Sequence, residues 1–169
     1  LDSTTLVLGI APGRQEDESG MVFQGKSGRL LRTALFENGL YPRIENVVRC
    51  RPPENRDPTK KEIDACRMYL ERVIGQMPNL QYVIALGTIA MAWCGVSGSV
   101  MKLAGIPRKA HVLGRDMTLI PIMHPAGLMR RPQYYSTWKS HWDQIREIIH
   151  PSKVSFVDRV EAKLYPNGL

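Results

Sequence analysis

The 169-residue sequence is poor in cysteine: Cys50, Cys66 and Cys94 are its only three, and neither a C-x-x-C nor an H-x-x-x-H pair occurs. An odd count without paired spacing argues against a secreted disulfide framework, and a structural zinc site lacks its ligand pattern. No apolar run reaches the ~18 residues that cross a bilayer, which excludes a membrane-spanning helix. The start carries no basic and apolar stretch of the kind that directs secretion, so the expected location is intracellular, in cytoplasm or nucleoid. An initiator Met is missing as well, and the chain reads as a processed or excised piece. Acidic residues are the scarcer charge, 16 against 23 Lys and Arg, for a net charge of +7. That balance suits a surface that neutralises phosphates. Its placement sharpens the point: Arg49, Arg51 and Arg56 surround one Pro-rich loop, while Arg130 and Arg131 follow a His-Pro turn. Two basic loops of this kind can flank one groove.

What is present is an alternation of strands and helices. Leu6-Val7-Leu8-Gly9-Ile10 reads as a buried strand entering the tight loop Ala11-Pro12-Gly13. Apolar residues recur at helical spacing over residues 29–36, after Gly25-Lys26-Ser27-Gly28. A second strand is expected over residues 44–49, running into a loop that Pro52, Pro53 and Pro58 keep extended. Thr59-Lys60-Lys61-Glu62 has the spacing of a capping box, so a helix should run from there to about Gln76. Tyr82-Val83-Ile84-Ala85-Leu86 is the clearest buried strand, turned by Gly87 into a helix over residues 88–94. Residues 110–113 and 118–123 flank Gly114-Arg115-Asp116 as a hairpin whose second arm enters the sheet and ends at His124-Pro125. Trp138, Trp142 and Ile145, spaced by four and three, mark a last amphipathic helix over residues 134–149.

Parallel strands need crossover helices, so this order predicts an α/β fold: three layers, doubly wound, with a mainly parallel four-stranded sheet flanked by helices. Residues 1–150 form the expected domain and 151–169 a tail or linker. Ligands in such sheets lie at the carboxyl ends of the strands. Those ends are Ala11-Pro12-Gly13, the loop at residues 49–55, Gly87-Thr88 and His124-Pro125, the segments richest in Gly, Pro, Arg and His.

Singly, each element has a plain structural reading. Gly9-Ile10-Ala11-Pro12-Gly13 lacks both the Lys-Ser/Thr ending of a phosphate loop and G-x-G-x-x-G spacing. Phe23 can be core, Asn46 can cap a strand end, and His124 can be a satisfied turn histidine. Together their order is more specific. Gly9-Ile10-Ala11-Pro12-Gly13 with Glu16-Asp17, then Gly20-Met21-Val22-Phe23-Gln24-Gly25-Lys26-Ser27-Gly28-Arg29-Leu30-Leu31, resembles the opening of family-four uracil-DNA glycosylases and their phage DNA-polymerase-associated relatives. Asn46-Val47-Val48-Arg49-Cys50-Arg51-Pro52-Pro53-Glu54-Asn55-Arg56, the strand into Ala85-Leu86-Gly87, and His124-Pro125-Ala126-Gly127-Leu128-Met129-Arg130 are similar to the remaining motifs, in order.

The resemblance implies a DNA-repair hydrolase that flips uracil out of DNA and cleaves its N-glycosidic bond. Ile10, Ala11, Phe23, Asn46 and His124 would form the base pocket, with Phe23 as the stacking face. Asn46 would tell uracil from cytosine by donating to one carbonyl and accepting from the ring N–H. His124 would donate to the oxyanion that develops on the leaving base. Asn46 and His124 are thus the expected catalytic residues. Leu128 and Met129 would wedge between base steps, and Lys26, Ser27, Arg51, Arg56 and Arg130 would contact DNA, single- or double-stranded. A replication protein or a fused polymerase domain is a further partner that the phage-type relatives imply.

Two departures from the family pattern stand out. The family usually has Glu where this chain has Ile10, which neither activates water nor stabilises a cation; Glu16 or Asp17 are the candidate substitutes. The family's four-iron, four-sulfur cluster takes four cysteines, two from an N-terminal C-x-x-C and two spaced as Cys50 and Cys66 are. The first pair is missing from this sequence, so no cluster is expected unless an upstream pair exists. Ile10 keeps open a second reading, a catalytically silent glycosylase-like module that binds DNA, and a third is a nucleotide-binding α/β protein of another kind.

Overall fold

The computed structural model of the protein describes residues 4–151. The expected tail beyond residue 150 falls, apart from Pro151, outside the described residues. Strands β1 (Thr5–Gly9), β2 (Arg43–Asn46), β3 (Tyr82–Leu86), β4 (Arg108–Val112) and β5 (Arg115–Ile122) form one sheet in the order β2-β1-β3-β5-β4. The first four of these are parallel to one another, and β4 runs antiparallel to β5 at the edge. The sheet therefore has five strands rather than the four expected. The first arm of the hairpin stays paired along its whole length, from Arg108 opposite Leu119 to Val112 opposite Arg115, and so adds an edge strand.

Side chains alternate across this sheet, and two cores follow from the alternation. Leu6, Leu8, Val83, Ala85 and Leu119 face helices α3 (Lys60–Gly75) and α4 (Thr88–Trp93), meeting Leu70, Val73, Ile74, Met77 and Met91. Val7, Ile84, Leu86, Ile120 and Ile122 face α2 (Lys26–Glu37), α6 (Pro125–Met129) and α7 (Tyr135–Ile149), meeting Leu31, Leu35, Leu128, Trp138 and Trp142. The three layers are thus helices, sheet and helices. Trp138 and Trp142 meet edge to face at 5.6 Å between ring centroids, inside the core as their spacing requires.

Local chemistry sets the element ends. Thr59 accepts from the Glu62 amide, and the Glu62 carboxylate accepts from the Thr59 amide, the reciprocal cap that starts α3. Arg115 closes the other end of α3 by donating to the carbonyls of Ile74 and Met77. β2 is shorter than expected, but its ladder continues as single bonds, Val47 to Gly9 and Val48 to Ile10. Two short helices had no strong apolar period to announce them, α1 (Arg14–Ser19), which buries nothing, and α5 (Val100–Leu103).

Candidate active site

The strand order reverses between β1 and β3, and a cavity of about 590 Å³ opens where the parallel strands end. Its wall draws on the turn after β1 (Ile10, Ala11, Pro12), the end of β2 (Asn46), Gly87 after β3, and Met123 and His124 after β5. Phe23 enters from the α1–α2 connection, Ser27 from the first turn of α2, Asn55, Arg56 and Asp57 from the loop after β2, Met101 from α5, and Arg130 and Arg131 from beyond α6. All five residues expected to form a base pocket are on this wall.

Gly9, at the end of β1, explains how the floor is built. A Cβ there would overlap Asn46 Oδ1 and lie 2.6 Å from Phe23 Cζ, so only a residue without a side chain lets those two groups close over the strand end. Gly28, in the first turn of α2, plays the same part behind Phe23, because a Cβ there would run into the Phe23 carbonyl. Phe23 itself has φ +57°, a left-handed conformation that costs a phenylalanine on the order of 1–3 kcal/mol. Arg32 clamps that turn by donating to the carbonyls of Val22 (2.9 Å) and Phe23 (3.3 Å). The held ring lies 6.2 Å from the His124 ring, tilted by 30°.

Asn46 is buried, and its Oδ1 has no hydrogen-bond partner among the described residues. An unpaired buried acceptor costs about 1–3 kcal/mol, so a fold keeps one where something else completes it. His124 is the N-cap of α6, and its Nδ1 accepts from the Ala126 amide at 3.1 Å. That bond leaves the ring proton on Nε2 in the neutral form. Burial, helped by nearby Arg130, pushes His124 down to about 4, against weaker opposing effects of Asp57 and Glu16. At neutral pH the ring is an uncharged donor. Trp138 Nε1 donates to the Met123 carbonyl at 3.0 Å and so fixes the residue before it.

The carboxylates divide sharply. Glu16 accepts from the amides of Gly13 (3.1 Å) and Gly25 (2.8 Å), tying the turn after β1 to the start of α2. It is a brace between two walls, which is a poor posture for the water-activating substitute considered above. Asp17 lines a neighbouring, smaller cavity with Arg43, Glu45 and Arg49 instead. Asp57 is in the main cavity and was missed in the sequence, because nothing but its place in a loop at a strand end distinguishes it.

The expected DNA-contacting residues fare unequally. Leu128 is 2% exposed and packs in the core beneath α6, so it cannot be a wedge; the helix turns only Met129, 48% exposed, outward. Arg56 lines the cavity, but both ends of its fork are on Glu62 at 2.8 Å, so it braces its loop against α3. Arg51 donates to Asn55 within the same loop. Ser27 is on the cavity wall, and Lys26 is exposed at the start of α2 beside it. Arg130 and Arg131 are exposed at the rim, joined there by Arg14 of α1 and by Met101, neither of which the sequence pattern singled out.

Cys50 and Cys66 are free thiols, exposed and half-buried, and Cys94 is buried, its thiol pushed up to about 12 by that burial. Among the described residues no group of three or more His, Cys, Asp or Glu side chains is placed to hold a metal ion. Two thiols alone do not fit an iron-sulfur cluster, which takes four. Among the described residues no helix is long and apolar enough to cross a membrane.

Comparison with known proteins accounts for the arrangement. The family model of the uracil DNA glycosylase superfamily matches residues 1–158. The type-4 uracil-DNA glycosylase of Archaeoglobus fulgidus is 32% identical over 160 residues, 89% of this chain and 79% of that protein. That of Pyrobaculum aerophilum is 38% identical over 135 residues, 75% of this chain and 68% of the relative. A type-5 uracil-DNA glycosylase of Thermus thermophilus is 33% identical over 127 residues, covering 65% and 55%. With the matched region spanning every wall of the cavity, the chain belongs to the uracil-DNA glycosylase superfamily.

Proposed function

We propose that the protein is a uracil-DNA glycosylase, a DNA-repair hydrolase that receives a flipped-out uracil in the cavity at the strand ends and hydrolyses its N-glycosidic bond. The observation that carries this reading is Asn46: a buried acceptor without a partner, set beside an aromatic face over Gly9. Uracil supplies the missing donor at its N3–H, while the amide N–H of Asn46 reaches the adjacent carbonyl. Cytosine presents an acceptor where uracil presents that donor, so it leaves Asn46 unpaired. Phe23 stacks on the base, and the turn at Ile10 and Ala11 closes its edge.

As the C1′–N1 bond lengthens, charge separates into a sugar cation and a base anion. Neutral His124 donates from Nε2 to the oxygen on which the negative charge collects, and one such donor supplies roughly 3 kcal/mol of barrier lowering. Its tautomer is set in advance by the Ala126 amide, so the donor needs no rearrangement during reaction. Met129 is the exposed apolar group left to fill the gap in the stack, with Met101 on the cavity wall as a second. Arg14, Arg130 and Arg131 hold the DNA backbone on the rim. Of the four ligands of an iron-sulfur cluster, Cys50 and Cys66 would supply two, and Cys94 is in the core. A catalytically silent module would have little use for a pre-set neutral histidine beside a base-reading amide, so the enzyme is favoured. A fused polymerase domain or other replication partner finds no support in these features.

The test is single-turnover incubation with end-labelled DNA carrying one uracil, followed by alkaline cleavage, with His124→Ala in parallel. The expected outcome is cleavage by the unaltered chain and a loss of about 10²–10³-fold in the variant. Salt-sensitive binding to the same DNA without cleavage would remove the enzyme reading and leave the binding module.

A further inference from the structure

Departure of the base leaves a cation at C1′ that a water must attack, and the end of β1, where the family usually places a carboxylate, carries Ile10. Two carboxylates line the cavity, Glu16 and Asp57. Both oxygens of Glu16 are committed to backbone amides. Asp57 has no hydrogen bond or ion pair on its carboxylate among the described residues; only its carbonyl is engaged, by Arg56 at 3.0 Å.

The loop that presents Asp57 is stiff. Pro52 and Pro58, both buried, anchor its two ends, and a residue that precedes proline, as Asp57 does, is disfavoured from helical backbone. Between them Glu54 and Asn55 are both left-handed, at φ +55°, a costly pair that persists where surrounding contacts enforce it. The enforcing contacts are Arg51 to Asn55 Oδ1 at 2.7 Å and the double bond of Arg56 to Glu62. A strained, doubly braced loop thus delivers an unpaired carboxylate to the wall that carries His124. Asp57 and His124 line the same cavity, and the charge of Asp57 favours protonation of His124.

Resting on the glycosylase reading above, we propose that Asp57 takes the place of the absent strand-end carboxylate: it holds the attacking water and faces the sugar cation. The C1′–N1 bond breaks with its electron pair leaving on uracil. The water oxygen then bonds to C1′, and its proton passes to the Asp57 carboxylate and on to solvent. Uracil regains a proton from solvent, so the net change is addition of one water across the glycosidic bond.

The experiment compares the unaltered chain with Asp57→Asn and Asp57→Glu, measuring the single-turnover rate of uracil excision and the Kd for the same DNA. Asp57→Asn is expected to slow excision by about 10²-fold, in the range of a positioned acid or base, with Kd within about twofold. Asp57→Glu, which restores the charge, should recover a measurable part of that rate. An Asp57→Asn rate within about threefold of the unaltered chain overturns the assignment, as does a rate loss matched by an equal loss of binding, which marks a loop defect instead. Absence of excision by the unaltered chain overturns the glycosylase reading, and this assignment with it; active parent and active Asp57→Asn overturn this assignment alone.

Discussion

Burial keeps His124 neutral, and one hydrogen bond sets its tautomer. The Ala126 amide points at Nδ1, and a protonated Nδ1 cannot accept it. The histidine is held near 4 in the folded chain and near 6.5 when unfolded, so the unfolded form takes up the proton first. Its contribution to stability is therefore full above about 6.5, and it drains away as pH falls from there towards about 4. Nitrogen-15 spectra should show Nε2 protonated and Nδ1 bare at pH 7, with the change to imidazolium coming only near pH 4; titration close to 6.5 would contradict the site geometry. At Asn46 the expectation concerns selectivity rather than folding. Asn46→Ala removes an acceptor that no described residue satisfies, so it should cost less than about 1 kcal/mol of stability by denaturant titration. The same change should sharply reduce the preference for uracil over cytosine. The identities of Phe23, Asn46 and His124 were legible in the sequence because they occur within ordered motifs. Asp57 was not, since its importance comes from Glu16 being occupied elsewhere, which only the assembled walls reveal.

Elements hold these residues in place from a distance. α7 reaches the site through one bond, Trp138 Nε1 to the Met123 carbonyl, next to His124. Trp138→Phe keeps most of the apolar area and removes that donor, leaving a carbonyl unpaired at a cost of about 1–3 kcal/mol. The excision rate should fall with it while the Kd for DNA holds, as fluorescence-anisotropy titration would show. The cap of α3 adjoins the Asp57 loop: Thr59→Ala should cost ~1 kcal/mol and, because Thr59 also bonds the Glu62 carboxylate that braces Arg56, should slow excision as well. The start of α3 was readable because a capping box is a local code, four residues long. Leu128 was misjudged for the opposite reason. A five-residue helix has too few positions to display a period, and only the packing against α2 and α7 shows which of Leu128 and Met129 faces inward.

On the scale of the whole molecule, charge and topology answer different questions. A net +7 indicated an anionic partner without locating its footprint. Among the described residues some arginines are tied up within the protein, Arg32, Arg43, Arg56 and Arg115 among them, while Arg130 and Arg131 are exposed on the cavity rim. Arg130→Ala and Arg131→Ala should each reduce the salt slope of DNA binding by about one, measured as log K against log salt concentration. Arg56→Ala should move the slope little and lower stability instead. The strand–helix alternation made the parallel sheet readable, and the edge position of β4 was not, because hairpin arms look alike until one of them finds the sheet.

The cavity gathers segments between Ile10 and Arg131, brought in at the ends of several strands and helices that are distant from one another in the chain. Such non-local assembly makes folding slow, because loop-closure entropy is spent before the contacts form. Activity should consequently be the last property to return after dilution from denaturant, lagging behind helical circular dichroism. Burial of the Trp138–Trp142 pair provides an intrinsic fluorescence clock against which that lag can be timed.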